Sequence, residues 1–436
     1  MNFLFARTFL NLRFILVQLT QKHPALKLFL IKIIWLFPGL KSFYFFSHKR
    51  PELYQQLKST RKKRVVLIDV THQSKTKINT GIQRVVRAIL NQFNEIFPSN
   101  VDIEPIILTC EKGFWHFVYL TKDKNPSAEI VVPRKNDVFL GLDLNAEVIY
   151  AAHAGLFDDW KSRGAKIIFT VHDILPIYHP EWWPKGVAKA HTKWLKTVLD
   201  VSETIISVSN VTSLSVQTWA KKNHYNLDNY NFEWFHLGAD IESSSPTMGL
   251  PDTSTKTLAK LSKSTTFLVV GTLEPRKGHY QCLAAFELLW NKGININLVF
   301  VGKEGWMVSK LMNKIQSHPQ AEKQFFWLDG ISDEYLEKVY ESASCLMAIS
   351  EGEGFGLPLI EAAQHSLPII ARDISIFKEV AGDHAFYFEG NTAKELATKI
   401  KDWLALYSNN KHPTSDNIPW QTWRQSAEKL RKIIEA

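Results

Sequence analysis

The sequence predicts an α/β protein of two parallel-sheet domains, preceded by a basic helical arm. Three observations carry that reading. Short continuous apolar runs, among them Val65–Val70, Lys166–Val171, Phe267–Leu273 and Cys345–Ile349, have the composition of strands buried on both faces. Each is followed by glycine or polar residues, and stretches with helical apolar spacing lie between many of them, as in βα units. A chain of 436 residues also exceeds one ordinary core, so two domains are expected.

Composition narrows the class. Apolar content of 45% and charged content of 22% are ordinary for a globular protein. Cys110, Cys282 and Cys345 lie far apart with no CxxC pair, so neither a disulfide framework nor a zinc site is expected, and a reducing cytoplasm suits them. The net charge of +9 is uneven: residues 1–64 hold 13 Lys/Arg against the single acid Glu52, and the remainder carries −3. The basicity belongs to the arm, so nucleic acid is not an expected partner of the body.

In that arm, Met1–Leu19 and Ala25–Phe37 read as helices, separated by His23-Pro24 and closed by Pro38-Gly39. Arg7, Arg13, Lys27 and Lys32 keep either stretch from reaching the roughly 18 uninterrupted apolar residues of a membrane span. No small-residue cleavage site of a signal peptide follows. Phe, Leu and Trp interleaved with Lys and Arg suit helices lying in a membrane interface that carries anionic lipid. The alternative is a helix pair packed on the body with its basic residues solvated.

The first domain is expected over 65–245. After the strand Val65–Val70, Asn79-Thr80-Gly81-Ile82-Gln83-Arg84 opens a helix running to about Phe97. A strand, a glycine loop and a helix N-terminus can hold an anion or a sugar; Gly81 is otherwise a turn glycine. Strands Val101–Leu108, Val138–Leu142 and Lys166–Val171 follow, read as parallel-sheet alternation. His172 and Asp173 lie just beyond the last of these, where open α/β sheets bind ligands. A capping Asp beside a satisfied His is the alternative. Trp182, Trp183 and Trp194 either stack on sugar rings or pack the core. Thr204–Asn210 is a further strand, with Ser209 and Asn210 starting a helix. Trp234–Asp240 leads out of the domain into a Ser/Thr/Pro/Lys-rich linker at 241–264.

The second domain is expected over 246–415. Phe267–Leu273, containing Gly271, runs into Glu274-Pro275-Arg276-Lys277-Gly278 and a helix to about Asn291. A strand, a glycine turn, an Arg fork, a Lys point charge and a helix start make a phosphate site. Asn297–Gly302 and Phe325–Gly330 are the next strands. Ser332 caps a helix with Asp333 and Glu334 in its first turn. Cys345–Ile349 then runs into Ser350–Glu361, where Gly352, Gly354 and Gly356 mark tight turns or close approach to a ligand. Pro358 suits an early helix position. Glu353 and Glu361, eight residues apart, fall in the turn and about one helical turn inside. Each can accept hydrogen bonds from paired hydroxyls; each can equally be a solvated helix-start acid. Beyond Pro368–Asp373 and Ala385–Glu389, a helix from Thr392 leads to a polar stretch near 409–417 and a last helix, Trp420–Ala436. No GxxxxGK[ST] loop, HExxH or Gly-x-Ser-x-Gly elbow occurs.

Glu353 and Glu361 frame Gly-Phe-Gly-Leu-Pro, and Glu361-Ala362-Ala363, Leu367–Ala371 and Glu379–Asp383 follow. With Glu274–Gly278 and the His172–Pro176 loop, this closely resembles the signature of retaining GT-B glycosyltransferases of group 1 (family 4), over most of 65–405 and most strongly over 267–383. The resemblance implies two Rossmann-like domains, the first for acceptor and the second for donor, with 416–436 returning to the first. It implies transfer of a sugar from a nucleotide diphosphate sugar to a hydroxyl with retention. Arg276 and Lys277 would then neutralise the departing diphosphate, Glu361 hold the ribose, Glu353 the donor sugar, and His172 the sugar near the reacting carbon. Gly81, Gly271, Gly302, Gly354, Phe355, Gly356 and Leu357 would complete the donor site, and Arg84 and Asp173 would face the acceptor. In this family the leaving phosphate helps deprotonate the acceptor, so no protein nucleophile, cofactor or metal is expected; no Asp-x-Asp motif is present.

Asp69 with Gly81-Ile82-Gln83-Arg84 looks like the first motif of bacterial mannosyl- and rhamnosyltransferases of surface polysaccharides. That likeness implies GDP-mannose as donor and a growing, lipid-linked glycan such as lipopolysaccharide O-antigen as acceptor. Residues 1–64 would then hold the enzyme peripherally on the cytoplasmic face of the plasma membrane. Two departures stand out: Gly352 replaces a Tyr common in the family, and Ser366 a frequent Gly. Two other readings share the fold, a nucleotide-sugar 2-epimerase and a non-catalytic membrane-bound scaffold. The arm disfavours the first, since a soluble substrate needs no membrane. Arg276, Lys277, Glu353 and Glu361 together disfavour the second.

Overall fold

The computed structural model describes residues 63–75, 81–111, 114–121, 123 and 125–436. The expectations for the arm up to residue 62, and for Asn79 and Thr80, lie outside these residues. Among the described residues no helix is long and apolar enough to cross a membrane.

The first sheet is built from β1 (Arg64–Asp69), β2 (Val101–Glu111), β3 (Phe114–Leu120), β4 (Pro126–Ile130), β5 (Val138–Gly141), β6 (Lys166–Val171), β7 (Thr204–Ser207) and β8 (Asn231–Trp234). Its order is β4-β3-β2-β1-β5-β6-β7-β8. From β2 to β8 neighbours run parallel, and β2–β3 and β3–β4 pair antiparallel. The strands expected from sequence at Val101–Leu108, Val138–Leu142 and Lys166–Val171 lie in the parallel part, and the antiparallel ribbon adds two strands to it. Phe114–Leu120 starts three residues after β2 ends, too soon for the crossover a parallel partner needs, so it can only fold back. Helices α1 (Gly81–Ile96), α2 (Val187–Val201) and α3 (Asn210–Lys222) cover this sheet. A cluster of Phe117, Phe139, Phe157, Trp160 and Phe169 fills one face, with ring centroids 5.2–6.1 Å apart in tilted and edge-on pairs. Trp194, 1% exposed, belongs to this core and faces no acceptor.

The outgoing strand ends at Trp234, earlier than expected, and the Ser/Thr-rich connection contains a helix, Ser254–Leu261. The second sheet comprises β9 (Thr266–Val270), β10 (Asn297–Val301), β11 (Phe325–Leu328), β12 (Cys345–Ala348), β13 (Ile369–Arg372) and β14 (Phe386–Phe388). Its order is β11-β10-β9-β12-β13-β14, all parallel. Helices α4 (His279–Trp290), α5 (Asp333–Ser342), α6 (Leu357–Gln364), α7 (Ser375–Ala381) and α8 (Ala393–Ser408) alternate with the strands. Ser332 caps α5 by accepting the Tyr335 N–H at 3.0 Å, and Thr392 and Glu395 form a capping box at α8.

The last helix, α9 (Trp423–Glu435), leaves the second domain and packs on α1 of the first. Trp423, Ala427, Leu430 and Ile434 are its buried stripe. A Cβ on Gly238 would lie 2.4 Å from the Trp423 backbone nitrogen, so only glycine admits this crossing. The two sheets thus present their C-terminal strand ends to one another across a narrow cleft.

Candidate active site

Four strand ends meet at the cleft. From the first domain β6 delivers His172 and Asp173. From the second, β9 leads to Gly271 and the Glu274–Gly278 turn, β10 to Gly302, and β12 to the Ser350–Gly356 loop.

The glycines are explained by close approach. Gly271 has φ +145° and a Cβ there would stand 3.4 Å from Lys277 Nζ; a Cβ on Gly302 would fall 2.0 Å from the Gly271 carbonyl oxygen. Gly302 therefore packs under Gly271. Gly356, φ +103°, is the N-cap of α6, with Leu357 and Pro358 opening the helix. A Cβ on Gly354 would lie 2.0 Å from the His172 carbonyl oxygen, and its own carbonyl accepts from the hydroxyls of Ser209 (2.7 Å) and Thr212 (3.1 Å). The glycine loop is thus clasped by the first domain. Gly81 opens α1, and a Cβ there would sit 3.8 Å from Leu357, so the two approach across the cleft. Phe355 differs from its expected place: it is 4% exposed and packs at 5.2 Å from the His236 ring, so its side chain is an interdomain core residue. Only its backbone remains available to a donor.

The charges cluster tightly. Glu353 accepts from Arg276 Nη1 at 2.8 Å and from Lys277 Nζ at 2.5 Å. Arg276 also donates to the Gly352 carbonyl at 2.7 Å and to Glu274 Oε1 at 3.1 Å. Burial would push the Glu353 carboxyl up, but Arg276 and Lys277 overcome it and hold it at about 2. Glu353 is therefore permanently ionised near neutrality and can only accept hydrogen bonds. Lys277, Glu353, Ser350, Gly356 and Pro358 line one cavity beside the buried His279.

His172 is 7% exposed and its Nε2 lies 2.8 Å from the Leu142 carbonyl. A carbonyl only accepts, so Nε2 carries the proton and Nδ1 keeps its lone pair. Burial lowers the pKa of this imidazole, which keeps it neutral. Asp173 partly fulfils the capping alternative, since Oδ1 accepts the Leu175 N–H at 3.1 Å; its charge is also felt at Arg276.

Arg84 joins the two domains. It reaches into the second domain, with Nη1 2.6 Å from Glu361 Oε1 and Nη2 paired with Asp333. Glu361, 2% exposed, also accepts from the Tyr340 hydroxyl at 2.7 Å. The opening turn of α1 aims Arg84 across the cleft, where two carboxylates await it.

Three contacts between the domains are not evident from the sequence. Trp182 and Trp183 sit half-buried at the cleft mouth, and Trp306 of the second domain donates its indole N–H to the Trp182 carbonyl at 2.8 Å. A Cβ on Gly352 would meet the Trp182 ring at 2.9 Å, so the ring occupies the space that a Tyr at 352 would need. Glu379 of α7 accepts the N–H groups of Asn210 and Val211 at the start of α3 (2.8 and 2.7 Å) and His236 Nε2 at 2.8 Å. It is an anion on a helix N-terminus of the other domain. Only the unusual Gly352 hinted at the first.

Comparison with known proteins agrees with this geometry. Residues 252–417 match the family model described as Glycosyl transferases group 1. The serotype-specific mannosyltransferase WbdA of Escherichia coli is 41% identical over 378 residues, 85% of this chain and 46% of that protein. The O-antigen chain mannosyltransferase B of Escherichia coli is 27% identical over 55% of this chain and 61% of its own length. The chain thus spans about half the length of the WbdA proteins it matches. Among solved structures, Anabaena HepE in complex with UDP and glucose superposes with a TM-score of 0.60 at 13% identity, covering 85% of this chain and 99% of that one. Sucrose-phosphate synthase from Thermosynechococcus elongatus gives 0.57 at 14% identity, covering 85% and 96%. The fold is GT-B.

Proposed function

We propose that this chain, whose residues 252–417 are a group 1 glycosyl transferase domain, moves mannose from a nucleotide diphosphate donor to a glycan hydroxyl with retention. One observation carries the reading: Arg276, Lys277 and Glu353 converge at the strand ends of one sheet, and the backbone of His172 from the other sheet closes against Gly354 in the same loop. The likeness to the mannosyltransferase WbdA supports mannose as the sugar, and GDP-mannose is the donor in this reading.

A departing diphosphate gains negative charge as the sugar–oxygen bond breaks. Arg276 and Lys277, fixed before reaction in a site largely closed to water, stabilise that charge. In this reading these two cations neutralise the diphosphate, and no metal is invoked. Glu353, able only to accept, holds hydroxyls of the donor sugar, and Glu361 takes the ribose hydroxyls. His172 Nδ1 accepts from a sugar hydroxyl near the anomeric carbon. The C1–O bond breaks with its electron pair going to the phosphate oxygen. The acceptor oxygen bonds C1 on the same face, and its proton passes to the departing phosphate. No side chain forms a covalent intermediate.

The acceptor in this reading is a growing, lipid-linked surface glycan. Residues 1–64, with a net charge of +12, would hold the protein on anionic lipid at the cytoplasmic face. The test incubates the full chain with GDP-mannose and a mannoside acceptor and determines the anomeric configuration of the product by NMR. An α-mannoside supports the reading; a β-linked product overturns retention. Conversion of the sugar nucleotide without acceptor would make the protein an epimerase.

A further inference from the structure

Glu361 is the carboxylate given above to the donor ribose, yet both of its oxygens are engaged by side chains of the protein itself. Oε1 holds Arg84 Nη1 at 2.6 Å and Oε2 accepts from Tyr340 at 2.7 Å. Arg84 comes from the first domain, and its other terminal nitrogen is on Asp333 at the start of α5. The second Asp333 oxygen accepts the backbone N–H and the hydroxyl of Thr247 at 2.8 and 2.9 Å. Thr247 lies in the connection between the domains. One guanidinium therefore joins the first domain, the interdomain connection and the donor carboxylate.

A ribose diol and Arg84 compete for the same buried oxygen. The planar fork of arginine allows a trade, because Asp333 can keep one of its arms when Glu361 releases the other. We propose that Arg84 is a positioning residue that latches Glu361 until the donor ribose displaces it, so that nucleotide binding is read directly by the interdomain connection. The proposal rests on the assignment of Glu361 to the ribose. It takes Arg84 away from the acceptor and gives it a role in the order of events. The donor breaks one arm of the latch, and the freed arm shifts the bias on domain closure.

The test is calorimetric titration of the full chain with GDP, and with UDP in parallel. Arg84→Met removes the competitor and is expected to tighten nucleotide binding roughly tenfold, within the usual range of coupling between linked sites. Asp333→Asn leaves Arg84 with Glu361 alone and should weaken binding. Arg84→Lys keeps the charge without the fork; it should also tighten binding, and it serves if the Met variant does not fold. In turnover, the Arg84 variants should lower the donor KM without raising kcat, a split that loss of fold stability alone does not produce. Unchanged or weaker nucleotide binding in both Arg84 variants overturns the latch. Glu361→Gln separates the two ideas, since undiminished nucleotide affinity there removes the ribose assignment itself.

Discussion

Glu353 and Glu361 stand eight residues apart in one motif, yet their counter-ions come from different halves of the molecule. Glu353 is held by Arg276 and Lys277, both from the neighbouring loop of its own sheet. Glu361 is held by Arg84, which lies 277 positions away on the first domain. The first cluster exists whenever the second domain is folded; the second exists only when the two domains are docked. Local chemistry makes a fixed electrostatic site, and long-range chemistry makes one that responds to domain arrangement.

The comparison can be broken most severely at the fixed site. Lys277→Ala and Arg276→Ala are each expected to lower kcat by about 100- to 1,000-fold, the usual effect of removing one preorganised donor from developing charge. Circular dichroism should show the fold intact. Retained turnover in either would mean that the diphosphate is held elsewhere.

The docked region is probed by ending the chain before residue 416. That removes the burial of Trp423, Leu430 and Ile434 against α1, roughly 1.5–3 kcal/mol for each side chain. Thermal denaturation should show the first domain destabilised by several kcal/mol and the second little changed. Equal loss in both would mean that the helix is no domain-specific strut.

A subtler separation comes from acidification. Glu353 is held near 2, below its ordinary 4.5, by Arg276 and Lys277. Such a group adds stability that is fully present above pH 4.5 and lost as pH falls towards 2. The gap in thermal midpoint between wild type and Glu353→Gln should therefore shrink across that window. A constant gap would show that the carboxylate is not held by its cations.

The smallest effect is expected at the cleft mouth. Trp306→Phe removes the indole N–H that reaches the Trp182 carbonyl and should cost about 1 kcal/mol. A much larger loss would make the aromatic seam a principal domain clasp.

The same contrast sets what could be read in the sequence. The second domain was legible because its signals are local. Gly271 and Gly356 mark tight backbone, Arg276-Lys277 a cationic turn, Pro358 a helix start and Ser332 a cap, and each means the same thing in isolation as in the fold. His172 could be placed for a similar reason, as the first residue beyond a buried strand. The partners of Arg84 and Phe355 and the β3–β4 ribbon are not legible in the sequence, because these environments depend on what packs against them. Arg84 carries nothing in its neighbourhood to announce Glu361 and Asp333. Phe355 lies within a donor motif, and only the approach of His236 shows that its ring belongs to the domain seam. The partners of Trp306 and Glu379 are not legible in the sequence because each acts on a residue of the other domain.

The most direct measurement is the thermal midpoint of the full chain with and without GDP-mannose, in wild type and in Lys277→Ala, beside UDP- and dTDP-linked sugars. A ligand that binds only the folded state raises the midpoint. The account predicts a rise for wild type with GDP-mannose and none for Lys277→Ala. An equal rise in both proteins, or no rise in wild type with any nucleotide sugar, would contradict a donor site built on the Arg276–Lys277–Glu353 cluster.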